Sequence, residues 1–153
     1  MSKKTPLITL DDFWPYQAVV LADQISRYTM SVVRVEADLN LSQWRVLAAV
    51  AEKSGRSAAE VTALTPMDKT IVSRAVSSLI SLGLISKIPD ASDKRRSSLS
   101  TTDSGRAIYE KVAARLNASL LKTDGTKSPK EFTQMLKSFS QKMDAITAAP
   151  QLD

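Results

Sequence analysis

Between Asp11 and Leu39 the apolar residues Phe13, Val20, Leu21, Ile25, Tyr28, Val32, Val35 and Leu39 recur near helical spacing, which predicts one long helix with Pro15 as the place for a bend. Its apolar stripe is longer than one short neighbour could cover, which points to a partner subunit. Asn40 breaks the pattern, and Ser42 is the expected N-cap of a second helix that runs to about Lys53 and buries Val46, Leu47 and Val50. Gly55 is its expected stop. Ser57-Ala58-Ala59-Glu60 spells a capping box and opens a short third helix ending near Leu64. Thr65-Pro66-Met67-Asp68 reads as a further start, with proline at the first helical position. The fourth helix then runs to about Leu82, and Gly83 closes it. Its inner face is Val72, Ala75, Val76 and Leu79, and its outer face is Lys69, Thr70, Ser73, Arg74 and Ser77.

The period then changes from helical to alternating. Leu84 to Pro89 reads as a strand, residues 90–96 as a polar turn, and Ser97 to Thr101 as a returning strand. A fifth helix is expected from Thr102 or Asp103 to about Lys122, burying Ile108, Val112, Leu116 and Leu120. After a linker around Gly125, Ser128-Pro129-Lys130-Glu131 combines a cap, a proline at the first turn and a reciprocal glutamate. The sixth helix places Phe132, Met135, Leu136, Phe139, Met143 and Ile146 on one stripe. No internal repeat or low-complexity tract interrupts this order. The fold class is mainly α with a small two- or three-stranded β wing.

Composition narrows the chemistry. The chain has 153 residues, 43% apolar and 24% charged, within the range of one globular domain or one subunit of a pair. It contains no cysteine and no histidine. Disulfides, thiolate metal sites and thiol redox sensing are excluded, and the usual general base and commonest transition-metal ligand are missing. No metal site and no cofactor are expected. The formal net charge is +5, and its distribution says more than its total. Residues 66–102 carry six basic and three acidic groups, whereas residues 1–40 carry four and five. No apolar run approaches the ~20 residues a membrane span needs, and no apolar signal core follows Lys3 and Lys4, so a cytoplasmic protein without a membrane partner is expected.

A short helix, a tight connection, a helix with a polar outer face and a basic hairpin follow one another in this chain. That order describes a winged helix-turn-helix. A helix fits the major groove of duplex DNA, and Lys69, Thr70, Ser73, Arg74 and Ser77 share one stripe that could enter it together. Arg74 has the shape for two hydrogen bonds to guanine. Lys94, Arg95 and Arg96 at the ribbon tip can lie along the backbone or enter the minor groove. Taken singly, a polar helix face is more often just solvated and a basic turn just a turn. Their succession, with the positive charge concentrated there, favours nucleic acid.

The same residues carry a family resemblance. The stretch from Leu41 to Gly105 resembles the MarR family of bacterial transcription regulators. The correspondence includes Leu41 to Leu47 in the second helix, Met67 to Arg74 in the fourth, and Gly83-Leu84-Ile85 leading into the wing. Asp90-Ala91-Ser92-Asp93-Lys94-Arg95 matches the family's D-x-x-D-x-R wing signature, and Leu99, Thr102 and Gly105 keep the spacing of its closing segment. The resemblance implies a homodimer of triangular shape, with residues 1–40 and 103–153 forming the dimerisation region and residues 41–102 the DNA-binding lobe. It implies a minor-groove role for Arg95 and a wing-structuring role for Asp93. Thr101 departs from the pattern, which has an apolar residue there, and could loosen the base of the wing.

The resemblance also implies a small-molecule effector, often an aromatic acid or related anion, in a crevice between dimer and DNA lobes. Trp14, Arg27, Trp44 and Arg45 are the candidates for it, although both tryptophans fit core or interface packing better. Enzyme readings fare poorly. Ser119-Leu120-Leu121-Lys122 spells S-x-x-K inside an amphipathic helix without companion motifs. Asp11 and Asp12 suit a helix start without any catalytic role. The expected function is therefore a sequence-specific regulator of transcription, a repressor in the first instance, that binds double-stranded DNA as a homodimer. A winged-helix module that docks a protein instead is the alternative.

Overall fold

The computed structural model describes residues 7–89, 97–121 and 128–148. Its elements follow the order α1 (Trp14–Ala37), α2 (Leu41–Glu52), α3 (Ala58–Leu64), α4 (Lys69–Ser81), β1 (Ile85–Pro89), β2 (Ser97–Thr101), α5 (Asp103–Leu120) and α6 (Pro129–Ala148). Two compact units divide the chain, Met1–Arg115 and Leu116–Asp153. No helix among the described residues is long and apolar enough to cross a membrane.

Local chemistry sets where each helix begins. Pro15 lies in the first turn of α1, where its missing N–H leaves no bond unmade, so it starts the helix and does not bend it. The chain leaves α1 through Asp38, left-handed at φ 50°, whose N–H donates to the Arg34 carbonyl at 3.1 Å. Asn40, and not Ser42, then caps α2. Its side-chain oxygen accepts from the Gln43 N–H at 2.9 Å, and the Gln43 side chain accepts from the Asn40 N–H at 2.8 Å. A cap at Ser42 would put Arg45 three residues on, and a guanidinium has no acceptor to return.

At α3 the capping box forms as expected. Ser57 accepts from the Glu60 N–H at 3.2 Å, and the Glu60 carboxylate accepts from the Ser57 N–H at 2.7 Å. That backbone bond, reinforced by the Ser57 hydroxyl, holds the Glu60 carboxyl below its ordinary pKa of 4.5. With the folded value depressed, this stabilisation is complete above the ordinary value and is lost as pH falls through the folded one. The start expected at Thr65-Pro66 shifts to Asp68, whose side chain accepts from the Ile71 N–H at 2.8 Å. Thr65 is occupied instead in closing α3, its hydroxyl donating to the Val61 carbonyl at 2.8 Å.

β1 and β2 pair antiparallel, with Ile85 opposite Thr101 and Pro89 opposite Ser97. A single bridge adds the α2–α3 connection to this ribbon. The Gly55 N–H donates to the Leu99 carbonyl at 2.9 Å, and the Leu99 N–H to the Arg56 carbonyl at 2.8 Å. The wing is thus two strands plus one bridge. Arg56 is itself fastened, its guanidinium donating to the Ala49 carbonyl and to the Glu52 carboxylate.

The core of the first unit gathers Val33, Val46, Leu47, Val50, Val61, Val72, Leu79, Ile85, Leu99 and Val112, all essentially solvent-free. On α5 the expected burial of four residues reduces to Val112. Ile108 and Leu116 are half-buried, and Leu120 is exposed. The α6 stripe forms as predicted in register but no residue of α6 is buried. Thr101 is half-buried in the ladder, and the next residue fastens the wing's base. The Thr102 hydroxyl donates to the Gly83 carbonyl at 2.7 Å and accepts from the Gly105 N–H at 3.0 Å.

Gly105 is dictated by close approach. A Cβ there would stand 1.8 Å from the Leu84 carbonyl oxygen, and that oxygen already accepts from the Thr102 N–H at 3.1 Å. Overpacking of this kind costs about 1–3 kcal/mol and sometimes more. Gly105→Ala should therefore lower the thermal midpoint by several degrees, roughly 2–4 °C per kcal/mol for a chain of this size. An unchanged midpoint would mean that the contact relaxes without cost.

Candidate nucleic-acid interface

One face of α4 is committed to the core and the other is open. Val72, Ala75, Val76 and Leu79 are buried, whereas Lys69, Thr70, Ser73, Arg74 and Ser77 are all exposed. The ion pairs among the described residues are Arg27–Asp23, Arg56–Glu52 and Lys111–Glu36. Lys69 and Arg74 are in none of them. Their charges are available to an outside anion, and the acid nearest them in sequence, Asp68, is engaged as the N-cap.

Grooves flank this face on both sides. A cleft of about 340 Å³ between α3 and α4 is lined by Ala58, Ala59, Thr62, Lys69, Val72 and Ser73. A groove of about 350 Å³ between the start of α2 and α4 is lined by Asn40, Ser42, Gln43, Ile71, Arg74, Ala75 and Ser78. Gln43 has two tasks at this second groove. Its carbonyl oxygen completes the α2 cap, and its amide donates to the Ser78 hydroxyl at 2.7 Å, bracing α4 against α2. Helical periodicity alone missed both this brace and Ile71, which is 39% exposed beside Arg74. The capping pattern N-x-x-Q was the available signal for Gln43.

The strand ends Pro89 and Ser97 pair. Asp93, Lys94, Arg95 and Arg96 lie outside the described residues. Lys87 on β1 is exposed. Among the described residues no group of acidic side chains could hold a metal ion.

The four candidates for a ligand crevice fall in different settings. Trp14 opens α1 and is 45% exposed, and Arg27 lies about 20 Å farther along the same helix at 1.5 Å per residue, paired with Asp23. Trp44 is buried and stacks on Tyr109 at 5.8 Å between ring centroids. The Arg106 guanidinium lies 5.8 Å from the outer ring of that stack. Arg45 is half-buried.

A family model described as the MarR family matches residues 37–96, from the end of α1 to the residue before β2. This segment belongs to the MarR family. Solved structures of MarR-family regulators share the fold over nearly the whole chain. A MarR/EmrR family transcriptional regulator from Acinetobacter sp. ADP1 is 22% identical with a TM-score of 0.77, covering 90% of this chain and 99% of that one. The MarR protein of Peptoclostridium difficile is 22% identical with a TM-score of 0.76, covering 95% and 96%. CouR from Rhodococcus jostii RHA1, solved with p-coumaroyl-CoA bound, is 18% identical with a TM-score of 0.76, covering 96% and 100%. No curated protein matches the chain in sequence. The MarR winged-helix fold therefore extends beyond the matched segment.

The Trp44–Tyr109 stack makes a structural role for Trp44 testable without any ligand. Trp44→Ala should destabilise the protein by about 3–5 kcal/mol in urea unfolding, the usual cost of emptying a buried tryptophan site. A variant as stable as the parent would argue that Trp44 serves a ligand instead.

Proposed function

We propose that this MarR-family protein is a sequence-specific regulator of transcription that binds double-stranded DNA as a homodimer. The observation that carries the reading is the outer face of α4, where Lys69, Thr70, Ser73, Arg74 and Ser77 are exposed and both cations lack a protein partner among the described residues. A helix of α4's width fits the ~12 Å major groove, its first turn meeting phosphate through Lys69 and its next turn presenting Arg74 to a base edge. Lys94, Arg95 and Arg96 supply the second contact, along the backbone or in the minor groove, with Asp93 holding the wing. Residues 41–102 act as the DNA-binding lobe.

Residues 1–40 and 103–153 are assigned to dimerisation. Each contains an apolar stripe with exposed members, Leu21 and Ile25 on α1 and Phe132, Met135, Leu136 and Met143 on α6. Two-fold symmetry then calls for an inverted-repeat operator with half-sites about one helical turn apart. Occupying a promoter blocks transcription, so the output is repression in the cytoplasm. An effector relieves it by favouring a different lobe separation. CouR's p-coumaroyl-CoA supports an aromatic, anionic effector class, with Trp14, Arg27 and Arg45 remaining the accessible candidates to meet it.

Selection from a random duplex library, followed by titration at several salt concentrations, tests the reading. A palindrome should be recovered, with affinity falling steeply as salt rises because phosphate neutralisation releases counterions. A folded dimer that enriches no sequence would support the protein-docking alternative. On the recovered operator, Arg74→Ala should cost about 1–3 kcal/mol and relax selection at one position per half-site. Arg95→Ala should weaken binding to most sequences and reduce the salt slope. Unchanged operator binding in either variant would remove that residue from the interface.

A further inference from the structure

We propose that Ile71 is a specificity residue that reads the 5-methyl group of a thymine, an inference that rests on the DNA-binding role above. Ile71 is 39% exposed in the N-terminal half of α4, between Lys69 and Arg74, and N-terminal residues of a recognition helix are those that contact base edges. It lines the α2–α4 groove together with Arg74, in a setting otherwise dominated by Asn40, Ser42, Gln43 and Ser78. An aliphatic side chain among polar ones has little to gain from water or phosphate. On the major-groove edge of a base pair the one strongly apolar feature is the thymine methyl, so the chemistry of Ile71 has a single good match there.

Spacing fixes where that thymine should be. Residues three apart on a helix have Cβ atoms about 5–6 Å apart, and successive base pairs rise about 3.4 Å. Ile71 therefore reaches one or two base pairs from the guanine that Arg74 contacts. The two residues together would select a short G/T step in each half-site. Lys69, by contrast, engages the backbone without regard to sequence.

The experiment replaces each thymine of one operator half-site, singly, with deoxyuridine, which deletes the methyl and leaves Watson–Crick pairing intact. Binding is measured for the wild-type protein, Ile71→Ala and Ile71→Val. At one thymine, one or two positions from the guanine whose preference Arg74→Ala erases, the wild-type protein should bind about 4-fold more weakly, the value of burying one methyl-sized group. Ile71→Ala should bind the thymine and deoxyuridine duplexes alike at that position, and Ile71→Val should fall between. The wild-type arm stands even if a variant folds poorly. Deoxyuridine profiles that match between wild type and a folded Ile71→Ala, or no sensitive thymine in that window, overturn the inference while leaving the operator intact. Failure to recover any operator overturns the DNA-binding reading, and the inference with it.

Discussion

Leu84 is the residue on which the end of α4, the start of β1 and the start of α5 all converge, and the geometry of the lobe follows from that convergence. Its N–H donates to the Leu79 carbonyl at the end of α4, and its carbonyl accepts from the Thr102 N–H as the chain returns from the wing. Gly105 approaches the same carbonyl so closely that no side chain fits between them. The Thr102 hydroxyl meanwhile ties the Gly83 carbonyl to the first turn of α5. With Leu84 and Ile85 buried at this junction, the wing leaves the core at an angle set by backbone contacts rather than by its own short ladder. Helix and wing are thereby held in a fixed relation at their bases, which a bipartite reader of DNA requires.

Gln43 braces α4 beside that junction. One side chain closes the α2 cap and braces Ser78 of α4, so the start of α2 and the last turn of α4 are coupled by one amide. On the far side of the lobe, the Arg56–Leu99 bridge ties β2 to the α2–α3 connection, and the Arg56 guanidinium ties that connection to the end of α2. The exposed face of α4 therefore depends on contacts on every side of it, none of which uses the residues assigned to DNA. Stability and recognition are carried by different side chains, so the outer stripe could vary while the scaffold is kept.

Much of this was legible in the sequence, and the misses have physical causes. The Ser57–Glu60 box, the inner face of α4 and the alternation of the wing were readable because each is set by residues within one or two turns of one another. The start of α2 was misplaced because Ser42 and Asn40 are both good caps in isolation, and only the acceptor three residues later separates them. Pro66 suggested a helix start that Thr65 had already forfeited by closing α3. Ile71 escaped notice because an apolar residue at the border of a helical stripe is assigned to the core by default, whereas the groove beside Arg74 leaves it open. Residues 90–96 carry the wing signature in sequence but lie outside the described structure, so the role of Asp93 rests on the resemblance, and that of Arg95 on the resemblance and on the basic run Lys94-Arg95-Arg96.

The apolar stripes of α1 and α6 expose a different limit of sequence reading. Periodicity reports that a face is built to be covered, but it cannot say whether the cover comes from the same chain. On α1 Val32 and Val33 are buried within the first unit, while Leu21 and Ile25 remain exposed. On α6 the whole stripe remains open, from Phe132 to Ile146. Leaving so much contiguous apolar surface in water opposes the hydrophobic effect, and scattered exposure would not line up at helical spacing. The proposed homodimer would cover both stripes, because two-fold symmetry presents each exposed face to an identical chain. In that proposed dimer the pairing of the apolar faces would set the distance between the two α4 helices, and with it the spacing of the half-sites proposed for them.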